Sequence, residues 1–248
     1  MDREHFPARD LKIVLTPMHG VGGETAVSVL NAAGFADVTL VAEQAEPDPD
    51  FPTVAFPNPE EPGGHWTWPL PLLRTRMRTS FWPTTPDADR AAVAALDPAT
   101  GSWRMLRGDE VGGALLGAHV VARMAAGAGD EPQTGVFANS IVSSRLLSRI
   151  AAAAGYAHEE TLTGFKWISR VPGLTYGYEE ALGYCVAPDL VRDKDGISAA
   201  VLIAELAATA KPKARRSSTP SMTCIWCTDC MRATNSVSGW PIWDCSMP

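Results

Sequence analysis

Thr85-Pro86-Asp87-Ala88-Asp89-Arg90 sets two carboxylates two positions apart, with a cation directly after them. On a loop at a strand end this alternation aims both carboxylates at one spot, and hard oxygen ligands suit Mg²⁺. The same residues also suit a solvated acidic turn. Glu179-Glu180, with Gly183 shortly after, reads either as a contact for the hydroxyls of a polar ligand or as a surface acidic pair. Lys194 stands between Asp193 and Asp195, as a salt-bridge cluster at a helix start or as a cation held for function. In Thr163-Gly164-Phe165-Lys166-Trp167 a cation sits beside two aromatics, which suits sugar or phosphate contact. It equally suits a packed loop with a snorkelling lysine.

Other patterns carry less chemistry. Cys224-Ile225-Trp226-Cys227-Thr228-Asp229-Cys230 is a C-x-x-C-x-x-C run, like part of an iron–sulfur ligand set. The fourth cysteine of such a set is missing from its place, because the next one is Cys245. His19-Gly20-Val21-Gly22-Gly23 would need glycine in place of Thr25 to match a dinucleotide fingerprint. A strand-to-helix turn that uses glycine for its backbone accounts for it better. His5, His65, His119 and His158 lack metal-ligand spacing and read as surface or structural residues.

These groups must be held by regular elements. Residues 11–16 are a short β-branched apolar run, the mark of a buried strand. The Gly-rich turn leads to a helix at 24–33 closed by Gly34, and then to a strand at 38–42, so that 11–42 form a βαβ-type unit. Proline and acidic residues crowd 46–62, as in a linker. Apolar spacing predicts helices at 109–126, 143–154 and 196–210, and strands at 134–139 and 174–178. The class is α/β, with a mixed or parallel sheet flanked by helices.

The 248 residues hold 21 Lys+Arg against 28 Asp+Glu, a formal charge of −7, and 46% of them are hydrophobic. That length and apolar content support one large domain or two small ones. The acidic balance argues against nucleic acid or an anionic membrane as partner. No apolar run approaches the roughly 18–20 residues that span a bilayer, and the N-terminus lacks a signal-peptide stretch. The expected location is the cytoplasm.

Taken together, the motifs resemble the α-D-phosphohexomutases, the phosphoglucomutase/phosphomannomutase superfamily. The resemblance runs through Pro17-Met18-His19-Gly20-Val21-Gly22-Gly23, Phe56-Pro57-Asn58-Pro59-Glu60-Glu61-Pro62-Gly63 and Asp87-Ala88-Asp89-Arg90. It continues through Arg107-Gly108-Asp109-Glu110, Thr163 to Trp167, Tyr178-Glu179-Glu180-Ala181-Leu182-Gly183 and Asp193-Lys194-Asp195-Gly196. The Phe-Lys-Trp and Glu-Glu-Ala forms look most like the phosphoglucomutase-2/phosphopentomutase-like branch. The resemblance implies domain-type α/β repeats and an Mg²⁺-dependent isomerase that moves phosphate within hexose or pentose phosphates by way of a phosphoserine. It makes Asp87 and Asp89 Mg²⁺ ligands, with Thr85 where a third aspartate is expected. Arg90 and Lys194 become catalytic, Arg90 by contacting the phosphoserine and Lys194 by assisting proton transfer. Thr163, Gly164, Phe165, Lys166, Glu179 and Ala181 become the sugar-binding set, with Ala181 where the family often has serine. Residues 1–45 are expected to be the end of domain two, 46–210 domain three, and 211–248 a disordered tail.

The resemblance lacks a first domain with its Thr-Ala-Ser-His-Asn-Pro type serine loop, and a fourth domain. The chain is therefore expected to be truncated and inactive alone, a sugar-phosphate-binding remnant or a partner for mutase domains supplied in trans. Residues 65–85 and 211–248 hold six of the eight Trp and four of the five Cys. Shifted by one nucleotide, their codons restore family sequence. Trp82 becomes Leu, Pro83 becomes Ala, Thr84 and Thr85 admit Asp, Thr223 becomes Asp and Cys227 becomes Val. Both blocks read as frameshifted, 65–85 is expected to pack badly, and the cysteine run is out-of-frame noise.

Overall fold

The computed structural model describes residues 2–59, 79–97, 100–127 and 134–210. Two sheets organise them. The first is built on β1 (Lys12–Thr16), whose Ile13 and Leu15 enter the main core while Val14 faces a smaller cluster with Val41 and Ala94. That alternation is the period of two expected of a strand covered on both faces. Residues 17–22 lead into α1 (Gly23–Ala32), and Gly34, at φ +100°, reverses the chain into β2 (Asp37–Leu40). The Gly34 and Phe35 amides close the helix on Asn31 and Leu30 carbonyls.

A neighbour from further along the chain completes the centre of this sheet. β3 (Thr79–Pro83) lies parallel to β1 on the side opposite β2, and β4 (Ala94–Asp97) and β5 (Ser102–Met105) extend it antiparallel, in the order β2-β1-β3-β4-β5. Residues on both sides of position 45 thus share one sheet, which differs from the division expected there. The end of the Trp- and Arg-rich block also behaves differently from the expectation of poor packing. Backbone pairing does not depend on side-chain identity, and Trp82, opposite Leu15, is only 1% exposed beside Ile13 and Val93 in the core. One cost is visible: Trp82 Nε1 is buried with no hydrogen-bond partner among the described residues. Residues 60–78 and the tail, with the C-x-x-C-x-x-C run, lie outside the described residues.

The second sheet follows a helical rod. This rod starts as a π-helical segment, Asp109–Leu116, and continues as α2 (Gly117–Gly127). The widened turns carry Gly112 and Gly113, where a Cβ would come within 2.4 and 2.8 Å of Tyr178, and the Gly112 carbonyl accepts a 2.8 Å bond from the Tyr176 hydroxyl. The sheet itself has the order β7-β6-β8-β9, from β6 (Val136–Ser140), β7 (Ala157–Thr161), β8 (Leu174–Glu179) and β9 (Gly183–Cys185). β7 and β8 run parallel to β6 and β9 is antiparallel, as at the outer edge of the first sheet. α3 (Leu146–Ala153), the single turn α4 (Phe165–Ile168) and α5 (Gly196–Ala210) complete the unit. No helix among the described residues is long and apolar enough to cross a membrane.

Candidate functional site

In each sheet the chain order reverses beside the first parallel strand, β1 in one and β6 in the other. Open α/β sheets bind ligands outside the carboxyl ends of such strands. The loops leaving those ends carry most of the residues singled out from sequence. After β3 the chain turns back through residues 85–90, with Thr84 bridged to Ala91. The Thr85 hydroxyl donates to Asp87 Oδ1 at 2.6 Å and accepts the Arg90 amide at 3.0 Å, while the Asp89 amide donates to Asp87 Oδ1 at 3.2 Å. Ala88 sits at φ +59°, a costly conformation for a residue with a Cβ and one that persists where the surroundings impose it.

Two segments impose it. The Val21 amide donates to the Pro86 carbonyl at 2.8 Å, and a Cβ on Gly20 would lie 2.1–2.5 Å from the Pro86 backbone. The Gly-rich turn therefore backs the acidic loop rather than cradling a dinucleotide. It is itself pinned from below, because Thr16, Gln44, Thr53 and His19 bond to one another at 2.6–3.0 Å. From the other sheet, the Gly196 amide at the start of α5 donates to the Ala88 carbonyl at 2.9 Å.

The cations tie this loop to the sugar-loop candidates. Arg90 Nη1 lies 3.2 Å from Glu179 Oε1 and donates to the Ala181 carbonyl at 2.5 Å, while its Nε is 3.6 Å from Asp89 Oδ2. Lys194 Nζ bonds Asp89 Oδ2 at 3.2 Å and Asp193 Oδ1 at 3.1 Å, and stands 5.1 Å from the centre of the Phe165 ring. Asp89, Arg90, Glu179, Ala181, Lys194 and Phe165 thus form one contiguous set drawn from both sheets. Thr163 and Lys166 are exposed beside it on the loop opened by Gly164 at φ +110°, with Lys166 Nζ 5.7 Å from the Trp167 ring. Leu182, at φ +60°, closes the turn after Glu179.

The charges respond to burial and pairing in different proportions. Burial raises the Asp89 and Glu179 carboxyls above their ordinary values, against the pull of Lys194 and Arg90. At Asp87 burial also pushes upward, but the Thr85 hydroxyl and the Asp89 amide outweigh it and the carboxyl lies low. Burial lowers Lys194, yet Asp193 and Asp89 win and its pKa rises.

Two supporting groups escaped the sequence reading. Ser140 and Ser143 hydroxyls both donate to Glu180 Oε2 at 2.8 Å, so Glu180 anchors the turn that presents Glu179. Asp109 Oδ1 accepts from the Ser144 amide at 2.7 Å and the Tyr178 hydroxyl at 2.9 Å, which fixes the loop after β6. The adjacent glutamates and the Arg-Gly-Asp-Glu string were visible in sequence, but their partners sit 35 to 69 positions away.

Two family models match the chain. One is described as phosphoglucomutase/phosphomannomutase, alpha/beta/alpha domain II, over residues 1–97; the other is domain III of the same set, over 112–221. A probable phosphomannomutase of Haemophilus influenzae is 44% identical over 209 residues, covering 84% of this chain and 41% of that protein. Human phosphopentomutase is 40% identical over 207 residues, covering 79% of this chain and 33% of its own length. Among solved structures, a phosphoglucomutase/phosphomannomutase family protein from Burkholderia thailandensis superposes with a TM-score of 0.64 at 19% identity, over 80% of this chain and 40% of that one. N-acetylphosphoglucosamine mutase of Aspergillus fumigatus, solved with GlcNAc-6P and magnesium, gives 0.56 at 16% identity, over 81% and 47%. The chain spans less than half the length of each of these relatives.

Proposed function

The chain belongs to the phosphoglucomutase/phosphomannomutase family, and from that premise we propose that it binds a hexose or pentose phosphate between its two sheets, as the sugar-holding part of a mutase site. The observation that carries this reading is the grip of Arg90 on both Glu179 and the Ala181 carbonyl. A glutamate that is 6% exposed and held by a guanidinium keeps its carboxylate oriented, ready to accept hydrogen bonds from vicinal sugar hydroxyls. Lys194 Nζ brings a positive charge and N–H donors to the same cleft. Thr163 and Lys166 flank it where the loop could sense the sugar's shape.

Isomerisation by these residues alone is not part of the reading. Phosphoryl transfer through the enzyme needs a nucleophile to carry the phosphate, and no Thr-Ala-Ser-His-Asn-Pro type loop occurs in this sequence. That nucleophile would have to come from another mutase domain.

Magnesium does not fit the acidic loop as it stands. Among the described residues no three His, Cys, Asp or Glu side chains converge on one point. Of the two loop carboxylates, Asp87 is engaged by the Thr85 hydroxyl and Asp89 by Lys194. No step of the reading passes through a metal.

Calorimetric titration with glucose 1-phosphate, mannose 1-phosphate and ribose 5-phosphate tests the proposal. Saturable binding of at least one, without conversion of glucose 1-phosphate to glucose 6-phosphate, is expected. Glu179→Gln should weaken that binding about tenfold, the worth of a hydrogen bond to a charged group. Heat-silent titrations with all three sugars would end the binding proposal, and measurable turnover by the purified chain would end its non-catalytic half.

A further inference from the structure

We infer that residues 85–90 form a cation-independent turn, in which the Thr85 hydroxyl and the Lys194 ammonium do the holding that a divalent ion would otherwise do, and that one exchange, Thr85→Asp, converts it to a Mg²⁺ site.

The turn is braced from within. Thr85 Oγ1 gives its proton to Asp87 Oδ1 and takes the Arg90 amide, the Thr85 carbonyl accepts the Ala88 amide at 2.8 Å, and the Thr85 amide donates to the Arg90 carbonyl at 3.1 Å. It is braced from outside through the Pro86 and Ala88 carbonyls, which accept the Val21 and Gly196 amides. None of these bonds needs a metal.

The carboxylates are also already partnered. Lys194 Nζ lies 3.2 Å and Arg90 Nε 3.6 Å from Asp89 Oδ2, although both cations are shared, Lys194 with Asp193 at 3.1 Å and Arg90 with Glu179 at 3.2 Å. A divalent ion entering here would have to displace Lys194 from Asp89 and compete with the Thr85 proton for Asp87. In return it would gain two carboxylates and a neutral hydroxyl. Mg²⁺ sheds its water reluctantly, and its affinity follows the number of charged oxygens offered. Aspartate at position 85 supplies the missing charge and keeps an acceptor for the Arg90 amide. It also removes the hydroxyl proton that occupies Asp87.

Mg²⁺ titration by calorimetry, and counting of free Mn²⁺ by electron paramagnetic resonance, decide the matter on the full chain without any sugar. The wild-type protein should show no saturable site through about 1 mM, the weak end of divalent-ion modules. Thr85→Asp should gain at least about tenfold in affinity from its added charge. Thr85→Asn, similar in shape but neutral, should stay like wild type. Adding Lys194→Met to Thr85→Asp should tighten the site further. Wild-type binding as strong as that of Thr85→Asp overturns the inference, as does an Asn variant that binds as well as the Asp one, or an Asp variant that binds nothing. Thermal melts of the unaltered protein give a reading that no variant's folding can disturb. A ligand of the native state raises Tm, so equal melting in millimolar Mg²⁺ and in EDTA is expected, and a clear rise with Mg²⁺ overturns it. The metal titration is read without sugar, so it stands or falls separately from the proposed sugar-phosphate binding.

Discussion

At position 179 the competition between burial and pairing sets how the cleft answers to pH. Burial lifts the Glu179 carboxyl above the usual 4.5, and Arg90 and Lys194 only partly oppose it. An acceptor for sugar hydroxyls is lost when that carboxyl takes up a proton. Sugar-phosphate affinity is therefore expected to fall on acidification with a midpoint above the ordinary glutamate range, while the ligand's own second phosphate ionisation adds a separate step near pH 6. Comparing calorimetric pH profiles of wild type and Glu179→Gln separates the two, since only the ligand's step should survive in the variant. Identical profiles would place the lower titration elsewhere. The identity of these residues was legible in the sequence because short motifs carried the resemblance. Their coupling was not: Arg90 meets Ala181 across 91 positions, and no local pattern records such a pairing.

Elements explain why the same residues converge. The start of helix 196–210 was readable, because Asp195 caps it, with Oδ1 accepting the Ile197 amide and Oδ2 the Ser198 amide, and an apolar run fills its length. β7, with the sequence Ala-His-Glu-Glu-Thr, was missed because an edge strand with exposed faces shows no apolar run. β9 is only three residues long, too short for a pattern to show, whereas β3 supplies the strand end expected before the acidic loop. The Gly-rich turn shows the limit most clearly. The sequence points to backbone freedom for its glycines, yet Gly20 is needed for lack of space against Pro86. Gly20→Ala should displace the 85–90 turn and cost about 1–3 kcal/mol, the usual penalty of overpacking. Gly127→Ala, whose Cβ would meet nothing described within 4 Å, serves as the control and should be close to neutral. Denaturant melts of the two variants check this, and equal stability would show that the turn yields without cost.

Across the whole molecule, the cleft exists only while the two sheets keep their relation, and a buried charge cluster far from the loops helps to hold it. Glu205 on α5 is fully buried; Oε1 accepts hydrogen bonds from His119 Nε2 at 3.0 Å and from Arg123, both on α2, and Oε2 faces Arg9 of the N-terminal segment at 3.6 Å. Arg9 in turn donates to the Phe6, Ala8 and Ala33 carbonyls and lies 5.1 Å from the centre of the Phe35 ring, so the cluster fastens the first layer to the second. Burial alone would raise the Glu205 carboxyl, but the bonds from His119 and Arg123 outweigh it and hold it below 4.5. A carboxyl depressed in the folded state contributes stability above its unfolded pKa and loses it as pH falls through the folded value. Glu205→Gln strands two arginines and should cost about 3 kcal/mol near neutrality, the low end for breaking a buried pair whose cations are partly solvated. The gap between the variant and wild type should then narrow as pH drops below about 4.5, where the wild-type carboxyl is itself being protonated. Urea unfolding at several pH values measures both quantities, and a gap that stays constant into the acid range would remove Glu205 from the linkage. The variant leaves every cleft residue in place. A loss of sugar-phosphate affinity in it at neutral pH would therefore report the relation of the two sheets, and unchanged affinity would show that the Arg90–Glu179 contact holds the cleft without help from this cluster.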